Sequence, residues 1–133
     1  MLPQTSLSIL VIDDEASIGR ALSRLLHQDG YRVDTADNGR QALALLSLHL
    51  YDLILCDLRM PELDGPTFYG ILLRQYPSLA QRIIFLTGDT LSLESQIFLK
   101  QCSQPWLLKP CMVADIRIAI EQVLRGLSRE GVV

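Results

Sequence analysis

The chain has 133 residues, a length typical of one domain, and 49% of them are hydrophobic, which is enough for a continuous core. The net charge of −3 excludes the strongly basic surface of a nucleic-acid-binding domain, so we expect no direct contact with nucleic acid. The amino terminus has no charged segment followed by a long apolar run. We therefore expect no signal peptide, no membrane insertion and a cytoplasmic location.

The first half of the chain alternates short apolar runs with amphipathic segments. Residues 7–12 predict a buried strand, and apolar side chains then recur at helical spacing until Asp29 and Gly30 close the first helix. Residues 31–36 predict a second strand with a polar side, which suits the edge of a sheet. A turn at residues 37–39 then starts a second helix.

The second half repeats this pattern three times. Residues 51–56, 82–86 and 105–108 predict the third, fourth and fifth strands, each followed by a helical segment. Pro66 fits the first turn of the third helix, and Pro77 is expected to end that helix. Five strand–helix repeats with short loops predict a doubly wound parallel sheet with helices on both faces. We expect one domain over residues 1–133 with no linker or second domain.

Polar side chains follow the carboxyl ends of four of these strands. Asp13 and Asp14 follow the first, Asp57 the third, Thr87 the fourth and Lys109 the fifth. Ligands of parallel α/β sheets bind outside these ends, so the side chains are expected to lie together. Three carboxylates suit Mg²⁺ or Mn²⁺, an Asp can accept a phosphoryl group, and an ammonium can balance phosphate oxygens. The cluster therefore predicts metal-dependent phosphoryl transfer to Asp57.

Each of these residues also has a plain structural alternative. Asp13 or Asp14 could cap the first helix, Thr87 could cap the fourth, and Lys109 could be a surface lysine. Among the remaining candidates, His27 and His49 lie near helix ends, far in sequence from the acids, and we expect no role for them in the chemistry. The three cysteines form no C-x-x-C pair, and Cys56 fits a small core residue.

Four motifs in this order resemble the receiver domains of two-component response regulators. They are Ile-Leu-Val-Ile-Asp13-Asp14-Glu15, Leu-Ile-Leu-Cys-Asp57-Leu-Arg-Met-Pro61-Glu-Leu-Asp-Gly65, Phe-Leu-Thr87-Gly and Leu-Leu-Lys109-Pro110. The resemblance covers about residues 7–127 and implies a flavodoxin-like (βα)5 fold with strand order 2-1-3-4-5. Such a domain catalyses only its own aspartyl phosphorylation and dephosphorylation, and then changes the surface formed by its fourth helix, fifth strand and fifth helix.

The resemblance also implies a role for each site residue. Asp57 would be the phosphoacceptor and a metal ligand, Asp14 would bind the metal directly, and Asp13 would bind it through water. The backbone carbonyl of Arg59 would be a further metal ligand. Thr87 would be the switch hydroxyl, and Lys109 would contact the phosphoryl group. The Lys109–Pro110 peptide bond is expected to be cis, which most X-Pro bonds are not.

Four positions depart from the usual pattern of the family or flank its site. Trp106 stands where relatives commonly carry Tyr or Phe as a switch aromatic, and its alternative role is a half-buried anchor of the fifth strand. Cys111 replaces a frequent Phe. Arg59 and Asp89 lie two residues beyond Asp57 and Thr87, and they could pair across the pocket and protect an acyl phosphate, or remain two solvated charges.

The resemblance further implies a sensor histidine kinase or a histidine phosphotransfer domain as the partner. Excess apolar residues on the fourth and fifth helices, including Leu93, Ile97 and Ile118, predict a docking or self-association face. We expect that partner to contact these helices or the rim near the first helix. The motifs also look like the receivers of hybrid histidine kinases, with a stand-alone regulator as the alternative context.

Two other functions are alternatives to this one. A haloacid-dehalogenase-like phosphatase needs a second Asp two residues after its nucleophile, and Arg59 occupies that position. A receiver-like module that only mediates interactions would not need the complete acidic site. Neither glycine-rich nucleotide-binding motif occurs in the chain.

Overall fold

The computed structural model describes residues 7–60, 63–88 and 92–132. Within these ranges, five parallel strands form one sheet in the order β2-β1-β3-β4-β5, which confirms the predicted fold class and strand order. The strands are β1 (Ser8–Ile12), β2 (Arg32–Ala36), β3 (Leu53–Asp57), β4 (Ile83–Thr87) and β5 (Trp106–Leu108).

The helices lie between and after these strands. They are α1 (Ala16–Gln28), α2 (Gly39–Leu46), α3 (Gly65–Gln75), α4 (Pro77–Ala80), α5 (Leu93–Cys102) and α6 (Val113–Val132). The single turn α4 was not predicted, so α5 and α6 are the fourth and fifth helices of the sequence prediction. Pro77 opens α4, where its missing N–H has no partner to lose. No helix in the described ranges is long and apolar enough to cross a bilayer.

Helices cover the sheet on both faces, and each face has its own buried cluster. One cluster joins sheet residues such as Ile54 and Phe85 to α2, α3 and α5. The other joins residues such as Leu55 and Ile84 to α1 and α6. Because successive strand residues point to opposite faces, the central strands β3 and β4 are buried at every position. Polar groups can therefore gather only at the strand ends.

The loop after β3 is held close to the sheet. The Leu58 N–H donates to the carbonyl oxygen of Leu86 at 2.9 Å, and the Leu58 carbonyl accepts from the Gly65 N–H at 2.9 Å. A Cβ at Gly65 would lie 2.8 Å from the Leu58 carbonyl oxygen, so only glycine fits without a shift of the backbone. Asp64 caps α3 by accepting the Thr67 N–H at 2.9 Å. These contacts fix the backbone directly after Asp57.

Candidate functional site

Three carboxylates meet at the carboxyl ends of β1 and β3. Ile12 pairs with Cys56 in the parallel register, so Asp13 and Asp57 follow on neighbouring strands at the same height. One carboxylate oxygen from each of Asp13, Asp14 and Asp57 lies within 4.8 Å of the others. Asp13 and Asp57 are buried, whereas Asp14 is exposed at the rim. The structure therefore brings together the acidic residues that the strand ends predicted.

Asp13 is fixed by contacts to both of its carboxylate oxygens. Its Oδ1 accepts the Glu15 N–H at 2.9 Å, and its Oδ2 accepts a hydrogen bond from Lys109 Nζ at 2.9 Å. Its own backbone N–H donates to the Ala36 carbonyl at 3.1 Å, which ties the end of β1 to the end of β2. Because only 2% of Asp13 is exposed, these contacts hold its carboxylate in one orientation.

Lys109 bridges the two buried carboxylates. Its Nζ lies 3.2 Å from Asp57 Oδ2 as well as 2.9 Å from Asp13 Oδ2, and 18% of its side chain is exposed. The Lys109 N–H donates to the Thr87 carbonyl at 2.7 Å, which fixes the start of the side chain. The peptide bond between Lys109 and Pro110 is cis, as the sequence resemblance implied. Lys109 is not a surface lysine.

The charges of Asp57 and Lys109 depend on each other. Burial raises the pKa of the Asp57 carboxyl to about 6, an effect that Lys109 opposes and Asp13 reinforces. Burial by itself would lower the pKa of Lys109, but its bond to Asp13 and the charge of Asp57 outweigh it and raise that pKa. The ammonium is therefore fully charged, and the three carboxylates together exceed it by about two negative charges near pH 7.

Asp57 and Thr87 end the two central strands. Asp57 Oδ1 accepts the Arg59 N–H at 3.2 Å, and Asp57 is 6% exposed. Thr87 is fully buried and pairs in register with Leu108, the residue before Lys109. The Thr87 side chain faces the same side of the sheet as Phe85, because alternate strand residues share a face. Thr87 therefore lies between the charged cluster and the layer formed by α3 and α5.

The helix-cap alternatives are wrong. The residue before α1 is Glu15, and no side chain caps that helix. Ser92 caps α5 by accepting the Ser95 N–H, so Thr87 has no such role. The acids after β1 therefore belong to the charged cluster, and neither they nor Thr87 at the end of β4 cap a helix.

Two expectations concern residues near the edge of this site. Asp89 lies outside the described residues, so its pairing with Arg59 stays a prediction. The Arg59 side chain is exposed, and its backbone N–H donates to Asp57 Oδ1. The orientation of the Arg59 carbonyl, the expected metal ligand, is likewise a prediction.

Trp106 lies on the edge strand β5, beside Leu99 and Lys100 of α5, with 43% of its surface exposed. It pairs in register with Phe85, which is completely buried. Phe85 contacts Phe98 edge-to-face at 5.2 Å between ring centroids, and Tyr69 contacts both at 5.9 and 5.7 Å. Aromatic rings from α3, β4 and α5 thus fill the layer beneath Thr87, and the indole lies outside it.

Sequence reasoning missed this aromatic cluster and the close approach at Gly65. The aromatic cluster joins α3, β4 and α5, which are far apart in sequence, so no local sequence pattern predicts it. Asp64-Gly65-Pro66 does carry the signal of a helix start, a capping Asp followed by Pro in the first turn, but not that of the close approach at Gly65. Cys56 is fully buried, as expected, and burial raises the pKa of its thiol.

Comparisons with known proteins agree with this geometry. The family model for the response regulator receiver domain matches residues 9–121. A probable transcriptional regulator, ycf27, from Cyanidium caldarium is 33% identical over 120 residues, which is 90% of this chain and 47% of that protein. The transcriptional regulatory protein ZraR from Escherichia coli (strain K12) is 32% identical over 120 residues, which is 90% of this chain and 26% of that protein. The chain thus spans less than half the length of either relative.

Two solved structures are also similar. The response regulator TrrA from Thermotoga maritima, in complex with Mg²⁺–BeF, is 28% identical with a TM-score of 0.78, covering 89% of this chain and 99% of that one. The signal receiver domain of a signal transduction histidine kinase from Syntrophus aciditrophicus is 29% identical with a TM-score of 0.83. That match covers 93% of this chain and 94% of the other.

Proposed function

The chain belongs to the response regulator receiver domains of two-component signalling, and from this premise we propose that Asp57 is the residue that carries the phosphoryl group. The observation that supports this most is the position of the Asp57 carboxylate. It lies buried at the end of a central strand, 3.2 Å from an ammonium and beside two further carboxylates. The proposal covers one receiver domain with its core at residues 7–127.

The donor set fits a hard divalent cation. Three carboxylate oxygens within 4.8 Å of one another, with one ammonium to offset them, leave an excess of negative charge that Mg²⁺ or Mn²⁺ would neutralise. Asp57 and Asp14 would bind the ion directly, Asp13 through water, and the Arg59 carbonyl would complete the protein ligands. When bound, the ion would stabilise negative charge on the phosphoryl oxygens.

The residues of the chain account for the transfer itself. An Asp57 carboxylate oxygen forms a bond to phosphorus while the bond from phosphorus to the imidazole nitrogen of the donor breaks. That nitrogen keeps the electron pair, and because the other ring nitrogen of the phosphohistidine carries a proton, the donor leaves as a neutral histidine. Lys109 contacts the phosphoryl oxygens and balances their charge, which requires its Nζ to move only locally from its position 3.2 Å from Asp57 Oδ2. Thr87 donates its hydroxyl to a phosphoryl oxygen.

The partner that donates the phosphoryl group is a phosphohistidine protein, either a sensor histidine kinase or a histidine phosphotransfer domain. A mainly apolar cleft of about 570 Å³ next to Lys109 is lined by α1 residues, including Ile18 and Ala21, and by Pro110 and Cys111. An exposed apolar cleft beside a charged site suits a helical partner that must bring one imidazole to Asp57. This supports docking at the rim near α1.

The surface of α5, β5 and α6 is the proposed output. Leu93 is 69% exposed, Trp106 43%, Leu108 49% and Ile118 52%, an unusual apolar content for a free surface. Thr87 and Trp106 lie on the neighbouring strands β4 and β5, next to α5. A displacement of the Thr87 side chain toward the phosphoryl group would therefore shift residues of this surface. The same face is proposed for docking or self-association, and a hybrid histidine kinase is the proposed context.

Phosphorylation with a small-molecule donor tests the assignment. The protein is incubated with acetyl phosphate and Mg²⁺, and its intact mass is measured. Wild type is expected to gain one phosphoryl group, and Asp57→Asn to gain none. Asp52→Asn is the matched control, since Asp52 lies just before the same strand at the opposite end of the sheet. Undiminished labelling of Asp57→Asn would overturn the proposal.

A further inference from the structure

The carboxyl end of α5 is held by one hydroxyl group of α3. The Tyr69 hydroxyl donates to the Cys102 carbonyl oxygen at 3.4 Å, and it also forms a hydrogen bond with the Gln104 side chain. Cys102 is the last residue of α5, and Gln104 lies two residues further along the chain. A single side chain of α3 therefore contacts both sides of the turn that follows α5, and the phosphorylation chemistry does not account for these contacts.

The residue between these two contacts has an unusual backbone. Ser103 lies in the left-handed region with φ 59° and ψ 15°, and it is the only residue other than glycine with a positive φ in the described ranges. A side chain is disfavoured in this conformation, which glycine adopts freely. Serine is therefore kept there by its surroundings, and the two contacts of Tyr69 are part of them.

The Tyr69 ring also belongs to the aromatic cluster beneath Thr87. Phe85 lies two residues before Thr87 on the same face of β4. The Phe85 ring contacts Tyr69 at 5.9 Å and Phe98 at 5.2 Å between centroids, and the rings of Tyr69 and Phe98 are 5.7 Å apart. Tyr69 therefore contacts α5 twice, through a ring at Phe98 and through a hydrogen bond at Cys102.

The amino end of α5 has a different environment. A cleft of about 310 Å³ lies between its first turn and the loop that follows Asp57, with Ser95 on one wall and Arg59 on the other. Leu93, in the same turn, is 69% exposed. The first turn of α5 thus has space beside it, whereas the last turn is tied to α3.

We propose that Tyr69 is a positioning residue that fixes the carboxyl end of α5, so that phosphorylation turns α5 about Ser103 and displaces mainly its amino end. The inference rests on the proposed function, in which the Thr87 hydroxyl moves toward the phosphoryl group. That movement displaces the end of β4, and the Phe85 ring transmits the displacement to Phe98 in the middle of α5. A helix that is held at one end and displaced at its middle rotates about the held end.

Removal of the Tyr69 hydroxyl tests the proposal. ¹⁵N-labelled protein is phosphorylated with acetyl phosphate and Mg²⁺, and the change of each α5 amide signal is measured together with the intact mass. In wild type the signals of Leu93 and Ile97 should move at least about three times as far as that of Ser103. In Tyr69→Phe, which keeps the ring, the change at Ser103 should at least about double, because the turn is no longer fixed. The gain in mass should be unchanged.

Two further variants separate the hydroxyl from the rings. Tyr76→Phe is the matched control, because it removes a hydroxyl from another tyrosine packed against the same buried cluster, and it should leave the change at Ser103 unaltered. Phe98→Leu should reduce the change at Leu93 by about half or more, because the ring that links β4 to α5 is lost.

The mass measurement distinguishes the two ways in which the experiment can fail. With a normal gain in mass, an unaltered Ser103 signal change in Tyr69→Phe would overturn the inference alone. So would an equal increase in Tyr76→Phe, or a normal change at Leu93 in Phe98→Leu. The absence of any gain in mass in wild type would overturn the proposed function, and this inference with it.

Discussion

Ionisation of the Asp57 carboxylate lowers the free energy of unfolding of the metal-free protein. Its folded pKa of about 6 exceeds the usual value of 3.8, with burial as the largest cause. The folded state therefore binds a proton more tightly than the unfolded state between these two values. Stability contributed by this group is highest below about pH 4 and falls as the pH rises through 6. At neutral pH the metal-free protein with an ionised Asp57 therefore has a lower free energy of unfolding than it would have with a neutral side chain at this position.

This leads to a prediction about Asp57→Asn in metal-free protein. At pH 7 the variant should have a free energy of unfolding about 1–3 kcal/mol higher than wild type, because one pKa unit corresponds to about 1.4 kcal/mol. The difference should shrink toward zero as the pH falls to about 4. Urea unfolding across this pH range measures it, with Asp37→Asn at an exposed position as the control.

Added Mg²⁺ provides the counter-test. The ion should stabilise wild type and leave Asp57→Asn almost unchanged, because ligands stabilise the state that binds them. If Asp57→Asn were less stable than wild type at pH 7 without metal, the charge balance described for this site would be wrong.

Lys109 is the residue that offsets the acidic cluster. Lys109→Ala leaves Asp13 and Asp57 buried without their shared cation, so the pKa of Asp57 should rise further. We expect phosphorylation by acetyl phosphate to slow by about tenfold or more, because the charge on the phosphoryl oxygens is no longer balanced. The rate of mass gain is the measurement, and Lys100→Ala on the exposed side of α5 is the control.

Two results would contradict this role. A normal phosphorylation rate in Lys109→Ala would remove Lys109 from the chemistry. Complete unfolding of Lys109→Ala in the presence of Mg²⁺ would make the lysine a structural residue, so amide spectra of the Mg²⁺-bound variant must accompany the rates.

At the scale of elements, β1, β3, β4 and β5 were predictable because each is a short apolar run with a polar residue at or directly after its end, whereas β2 carries the polar side of an edge strand. Asp57 and Lys109 follow such runs directly, so the topology of a parallel sheet was enough to bring them together. The pairing of Lys109 with both Asp13 and Asp57 was not predictable, since it depends on the tertiary position of the Lys109 side chain between the ends of β1 and β3. Nor was the turn α4, because a four-residue helix has no periodicity to detect.

The aromatic cluster is an element-scale feature that depends on tertiary packing. Tyr69, Phe85 and Phe98 come from α3, β4 and α5, and each ring contacts the other two edge-to-face. Phe85 lies two residues before Thr87 on the same strand face. Movement at the end of β4 would therefore reach α5 through these rings, whereas Trp106 lies outside them with 43% of its surface exposed.

Phe98→Leu tests the strength of this connection. The variant loses two ring contacts and some buried volume, so its free energy of unfolding should fall by about 1–3 kcal/mol. Urea unfolding can be followed by the fluorescence of Trp106, the single tryptophan of the chain. The neighbouring Ile97→Ala, at a position 47% exposed, should change stability by about 0.5 kcal/mol or less. Equal effects of the two variants would contradict a packed aromatic connection.

At the scale of the whole molecule, the two ends of the sheet carry different surfaces. The carboxyl ends hold the acidic site, and the amino ends hold a groove between Leu50 and Arg32. The first was predictable, because functional groups collect at the carboxyl ends of parallel strands. The groove was not predictable, because His27 and His49 are far apart in sequence and line the same groove only through the packing of α1 and the loop before β3. At the same end of the sheet as the groove, the ion pair of Asp29 with Arg117, at 2.8 Å, joins the end of α1 to α6.

The last prediction separates docking of a protein donor from the chemistry of transfer. Ala21 is exposed on α1 and lines the apolar cleft beside Lys109, so Ala21→Glu places a charge where a helical partner would pack. Phosphorylation by a phosphohistidine domain should slow by about tenfold or more, since a buried unpaired charge at an interface costs more than about 1.4 kcal/mol. Phosphorylation by acetyl phosphate should be unchanged, because that donor needs no docking surface.

Ala44→Glu, at an exposed position of α2 on the other face of the sheet, is the matched control. If Ala21→Glu slowed both donors equally, or neither, the cleft at α1 would not be the docking site, and contact through α5 and α6 would remain as the alternative.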